Sequence, residues 1–335
     1  MHIPDGYLSP STCATLYVLS GSGWWLALKK IQRVLMTRTI PLISVFAAFS
    51  FVIMMFNLPL PGGTTAHAVG IAVAAIVLGP WGAILSLSIA ITIQALLFGD
   101  GGITTLGANC FNMAIVGSLV AWAVYRLFAS RGRRNVLAAA IAGYVSINAA
   151  AFLAAIEFGI QPVLFHDASG TPLYAPYPLH IAIPAMMIGH LTIAGFAEAA
   201  LSGGMIAYLQ GTRSTLLSNT AFAKQVTTAP QPTVATQATS EWKLWATVGS
   251  LLILTPLGTL AVGTAWGEGS AESFTNAPAG LARLSSIWTA PFPSYAPAFI
   301  KNPAFGYMLS AMFGVGIILL LSLVARAFSR KEARS

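Results

Sequence analysis

Charge is scarce in this chain. Of 335 residues only 17 are basic and 9 acidic, 8% in all, against roughly a quarter in soluble domains. That excludes an ordinary soluble globule and points to an integral membrane protein. Cysteine is nearly absent. Cys13 and Cys110 are the two present and show no CxxC spacing, so neither a disulfide framework nor a thiolate metal site follows, and both read as small packing residues. No GxxxxGK[ST] run occurs, which removes a P-loop ATPase, and no HExxH, which removes that class of metallohydrolase. A secretory signal would place positive charge before its apolar core; here Lys29, Lys30, Arg33 and Arg38 follow the first apolar run. The opening stretch MHIPDGYLSP therefore reads as retained.

What the chain has is long apolar runs, each near the ~20 residues that a helix needs to cross hydrocarbon. Glycine and proline scattered inside them favour helices over a barrel. Candidate spans fall at 10–28, 39–57, 66–79, 81–98, 107–129, 135–159 and 180–209, the third short and Gly-rich. The segment TTAPQPTVATQATS that follows lacks periodicity and reads as a flexible linker. Two more spans, 243–265 and 305–328, flank a polar, Pro-rich loop. The expected fold is an all-α integral membrane protein, a seven-helix transmembrane bundle plus two C-terminal transmembrane helices. The expected units are a seven-helix unit at 1–210, a cytoplasmic linker at 211–242, a two-helix unit with an external loop at 243–328, and a basic tail at 329–335.

With the N-terminus outside and spans alternating, fifteen of the seventeen basic residues fall on the inner side, and only Arg283 and Lys301 fall outside. This is the positive-inside pattern of a plasma-membrane protein. It accounts for the net charge of +8 with lipid as the partner and no nucleic acid. It also places MHIPDG on the outer face and the C-terminus in the cytoplasm.

The first two residues can be a ligand set. A free Met1 amine, the His2 amide nitrogen and His2 Nδ1 close a five- and a six-membered chelate ring around one ion. Three nitrogens in a plane suit the tetragonal preference of Ni(II) and Cu(II). A bulky second residue disfavours removal of the initiator methionine, so Met1 is expected to stay. The fourth donor must come from elsewhere. His67, in NLPLPGGTTAHAVG, sits beyond a glycine turn at the outer end of the second and third spans and is well placed. His166 reads as solvated, His180 as an interface residue, and His190 as hydrogen-bonded to a neighbouring helix. The stretch FGDGGITTLGANCFNMA, residues 98–114, packs Asp100, Thr104, Thr105, Asn109 and Asn112 into an apolar context. It reads as a shell that hydrogen-bonds the ligands and closes the site. Glu198 is an intramembrane carboxylate. It is expected far from that site, in an interhelical hydrogen bond or coupling contact.

MHIPDG, PGGTTAH and FGDGGITTLGANCFNMA together resemble the CbiM/NikM family, the substrate-capture membrane components of energy-coupling-factor transporters for cobalt and nickel. The resemblance covers about residues 1–210. It implies a metal site of the Met1 amine, the His2 amide and imidazole, and the His67 imidazole, with the first loop folded inward to deliver the terminus. Pro4-Asp5 stands where the family more commonly has another pair and leaves the ligand positions intact. LLILTPLGTLAVGTAWGEG, at 251–269, is similar to a fused NikN/PDGLE-type accessory component. The resemblance further implies a transmembrane coupling protein (CbiQ/NikQ-like) and cytoplasmic ATPase subunits (CbiO/NikO-like), with Ni(II) or Co(II) as transported substrate and no cofactor. The alternative is a self-sufficient secondary divalent-metal transporter, for which Glu198 and His190 are the intramembrane candidates.

Overall fold

The computed structural model describes residues 1–32, 36–60, 64–129, 134–211, 245–260 and 274–332. Nearly all of the expected linker, 211–242, lies outside them, as does the basic tail beyond residue 332. The described chain is mostly helical. The helices are α1 Pro10–Gln32, α2 Met36–Met54, α3 Ile71–Phe98, α4 Leu106–Phe128, α5 Asn135–Leu164, α6 Leu179–Gly211, α7 Trp245–Gly258, α8 Ala279–Ser285 and α9 Pro303–Glu332. The strands β1 Leu58–Leu60 and β2 Thr64–Ala66 form a small antiparallel hairpin, Pro59 opposite Thr65.

Five helices among the described residues are long and apolar enough to cross a membrane: α3, α4, α5, α6 and the first 25 residues of α9. The apolar parts of α2 and α7 are shorter. α1 falls short of that apolarity because serine, threonine and glycine interrupt it and Lys29 and Lys30 end it.

α3 is not one rod. Gly79 takes φ 73 and ψ 168, outside helical space, and Pro80 follows. A straight helix of its 28 residues would part its ends by ~42 Å. Yet His67, just before α3, and Asp100, just after it, both contact His2. The chain therefore runs down a short half-helix, reverses at Gly79–Pro80 and returns. This matches a break between the third and fourth expected spans. Wide π-helical turns end α3 at Gln94–Phe98 and interrupt α4 at Cys110–Val116 and α6 at His190–Ala194. Such turns favour functional regions.

The C-terminal helix lies on α2. A Cβ at Gly314 would meet the Phe51 ring at 2.2 Å, so the helix approaches where only glycine fits. Tyr307 donates a hydrogen bond to the Met55 carbonyl at 2.6 Å. α8 reaches back across the N-terminal turn. There Gly6, at φ +89, meets the Leu281 backbone, and the Leu281 amide donates to the Leu173 carbonyl at 3.1 Å.

Candidate metal site

Chain termini are usually loose, but here Met1 and His2 are each only 2% exposed and Ile3 is fully buried. Hydrogen bonding explains this. The Ile3 amide donates to Asn109 Oδ1 at 2.8 Å. The Ile3 carbonyl accepts from Asn109 Nδ2 at 3.0 Å, the Thr105 hydroxyl at 2.5 Å and the Gly102 amide at 2.9 Å. Asp5 then accepts from the Ile103 amide at 3.0 Å, the Thr104 amide at 2.6 Å and the Thr104 hydroxyl. A Cβ at Gly102 would come within 2.3 Å of the Asp5 nitrogen, so this close approach requires glycine. The loop between α3 and α4 thus clamps the first five residues into the protein.

The β-hairpin supplies the opposite wall. The Met1 amine lies 3.4 Å from both the carbonyl and the hydroxyl oxygen of Thr65, and donates to them. His67 follows β2 and is buried; its ring meets the His2 ring edge-on, centroids 5.0 Å apart. His67 Nδ1 faces the Ala68 carbonyl at 3.1 Å. Metal-bound histidines are commonly held this way through their second nitrogen, and Nε2 is left as the donor to an ion. Burial first, then the nearby His2 ring and Met1 amine, hold the His67 imidazole well below its usual range. It is therefore neutral, the form that binds metal.

Asp100 completes the wall. Its Oδ1 lies 3.0 Å from His2 Nδ1, and its main-chain oxygen lies 3.2 Å from the same nitrogen. Burial alone would raise the Asp100 carboxyl. The His2 ring, its hydrogen bond and a further bond from Tyr295 outweigh it and hold the carboxyl below the usual carboxylate range. Chelation through His2 Nδ1 thus requires the ring to exchange this carboxylate for the ion.

Met1, His2, His67 and Asp100 are brought together. Thr104, Thr105 and Asn109 act one step back, on Ile3 and Asp5. Asn112 belongs elsewhere: it donates to Glu157 at 2.8 Å. His166 and His180 are exposed. His190 is buried, but its Nδ1 faces the Met186 carbonyl of its own helix at 2.8 Å, not a neighbouring one. Glu198 is closer to the site than its place in the sequence suggests, accepting from the Val69 and Gly70 amides just beyond His67. Two contributors escape sequence reasoning, Gln94 and Tyr295. Gln94 carries a signal as the lone amide in an apolar run; Tyr295, in a Pro-rich loop, carries none. Among the described residues no group of three His, Cys, Asp or Glu side chains is placed to hold a metal ion.

Residues 2–216 match the family described as the cobalt uptake substrate-specific transmembrane region, CbiM. The chain is 49% identical to the fused nickel transport protein NikMN of Rhodobacter capsulatus, over 99% of each chain. It is 43% identical to the probable fused nickel transport protein LarMN of Lactiplantibacillus plantarum, over 96% of each. Among solved structures, a transition metal transporter is 49% identical with a TM-score of 0.62, covering 68% of this chain and all of that one.

Proposed function

The chain belongs to the CbiM family of cobalt uptake substrate-specific transmembrane regions, a family of nickel and cobalt transport proteins, and from that premise we propose that it captures Ni(II) or Co(II) at the outer face of a prokaryotic plasma membrane. The ligands in this reading are the Met1 amine, the His2 amide and Nδ1, and His67. The observation that carries it is the burial of Met1 and His2 against His67 by a loop that binds the main chain of Ile3. A terminus so enclosed holds its nitrogens beside His67, where an ion can replace the contacts to Thr65 and Asp100. Planar nitrogen donors favour Ni(II) over the octahedral habit of Co(II), and the nickel names of the full-length relatives point the same way.

The remainder of the reading is the substrate-specific component of an energy-coupling-factor transporter. In this reading α3 counts as two segments, for seven helices among the described residues up to residue 211, with α7 and α9 as two more. Energy would come from ATPase subunits, coupled through a transmembrane partner, since the chain has no P-loop. Uptake of radiolabelled nickel by cells carrying this chain tests it. We expect uptake with the coupling and ATPase partners and little without them. Undiminished uptake without the ATPases would favour the self-sufficient secondary transporter.

A further inference from the structure

We infer that Tyr295, contributed by the segment between α8 and α9, is a positioning residue for the metal site, acting through Asp100 on His2. The inference rests on the proposed ligand set.

Tyr295 is 6% exposed, and its ring stacks on Phe98 with centroids 4.7 Å apart and planes 20° from parallel. Tyr307 and Phe51 meet it edge-on at 5.2 Å and 6.4 Å. The ring is thereby fixed and its hydroxyl aimed. That hydroxyl donates to Asp100 Oδ2 at 2.7 Å and accepts from Gln94 Nε2 at 3.0 Å. An amide nitrogen only donates and a carboxylate only accepts, so the direction of this relay is set. Gln94 gives to Tyr295 and, at 3.3 Å, directly to Asp100 Oδ2; Tyr295 gives to that same oxygen by the shorter bond, and the other Asp100 oxygen holds His2 Nδ1 at 3.0 Å.

The backbone is strained to make this contact. Ser294 and Tyr295 take φ of 53 and 59, left-handed values that side chains other than glycine adopt at a cost. The surroundings enforce them: Ser310 Oγ donates to the Tyr295 carbonyl at 3.0 Å, and the Phe292 amide donates to the Leu97 carbonyl at 2.9 Å. A loop residue that merely filled space would need neither the strain nor the hydroxyl. Among the described residues, the C-terminal part of the chain therefore enters the ligand environment through the Tyr295 hydroxyl. The relay sets how the His2 ring rests before an ion arrives, and how Asp100 is held when the ring turns from carboxylate to metal.

Tyr295→Phe removes the hydroxyl and keeps the stacking. In the full chain with its native N-terminus, chelator competition should show Ni(II) bound about tenfold more weakly than wild type, because an Asp100 carboxylate that has lost the Tyr295 hydroxyl competes harder for His2 Nδ1, by about the worth of one hydrogen bond. The metal-free protein should stay folded, with a somewhat lower melting temperature because Asp100 and Gln94 lose a buried partner. Nitrogen NMR of the metal-free protein should show the His2 Nδ1 resonance displaced. With Asp100→Ala, adding Tyr295→Phe should weaken binding no further, since both act along one path. The inference is overturned by wild-type affinity in Tyr295→Phe, by an unmoved His2 resonance, or by a tenfold loss that persists without Asp100. A glycine inserted between Met1 and His2 separates the two failures. If that insertion abolishes binding while Tyr295→Phe is silent, only the Tyr295 assignment fails. If the insertion leaves binding intact, the ligand set itself fails.

Discussion

The carboxylate of Glu198 accepts a hydrogen bond from the Val69 amide at 2.7 Å, and a second from the Gly70 amide at 2.9 Å. This joins α6 to the segment that carries His67, at the start of the α3 half-helix, where a negative group also complements the helix dipole. Glu198→Ala would leave two buried amides without an acceptor, at a cost of about 2–4 kcal/mol. We expect a lower melting temperature and weaker Ni(II) binding. Glu198→Gln keeps an acceptor oxygen and should recover most of both. Equal loss in the two variants would show that charge, not loop anchoring, is what Glu198 supplies.

Asn109 and Asn112 should separate cleanly. Asn109 grips Ile3 with both arms of its amide, whereas Asn112 serves Glu157. Asn109→Ala is expected to free the terminus and reduce metal binding tenfold or more. Asn112→Ala should lower thermal stability and leave affinity within about twofold of wild type, because its amide serves Glu157 and not the N-terminal turn. Metal affinity and melting curves for the pair decide the matter.

Gly102→Ala is a steric test of the same clamp. Its Cβ would sit 2.3 Å from the Asp5 nitrogen, so the N-terminal turn must move and metal occupancy should fall. Gly21→Ala, where a Cβ meets nothing within 4 Å, should be neutral or stabilise α1 by about 0.5–1 kcal/mol. Elemental analysis of both purified variants provides the comparison.

His67 makes the metal-free protein sensitive to acid. Its folded value lies below that of a free histidine, burial being the main cause. Below about pH 6.5 the unfolded chain therefore binds a proton that the folded chain refuses, and stability falls as pH falls. The slope from this group reaches up to about 1.4 kcal/mol per pH unit. Melting temperatures from about pH 7.5 to about pH 5.5 should drop more steeply in wild type than in His67→Gln. An equal slope in the two would remove His67 as the cause.

The chelate proposed at the terminus can be posed from sequence because amine, amide and imidazole are covalent neighbours; what the structure adds is the burial of Met1 and His2 beside His67. The glycine and threonine turn before His67 and the polar run around Asp100 likewise mark themselves against an apolar background. The partners of these groups were not legible, because the fold decides them. Reversal at Gly79–Pro80 brings both ends of α3 to His2, and with them Glu198 to Val69. Asn109 and Asn112 look equivalent, since residues three apart share a helix face. The wide turn that begins at Cys110 breaks that phase. Tyr295 is 201 residues from Gln94 in sequence, and nothing local announces their meeting.

The proposed ligand set is the start of the chain itself. Nickel and cobalt bound per chain, measured by elemental analysis on protein with its native N-terminus and on the variant with one glycine inserted between Met1 and His2, tests it most directly. The insertion keeps every side chain and breaks the chelate spacing. Near-complete loss of metal from the variant is the expected result. Full occupancy in the variant would contradict the claim and place the ion on other donors.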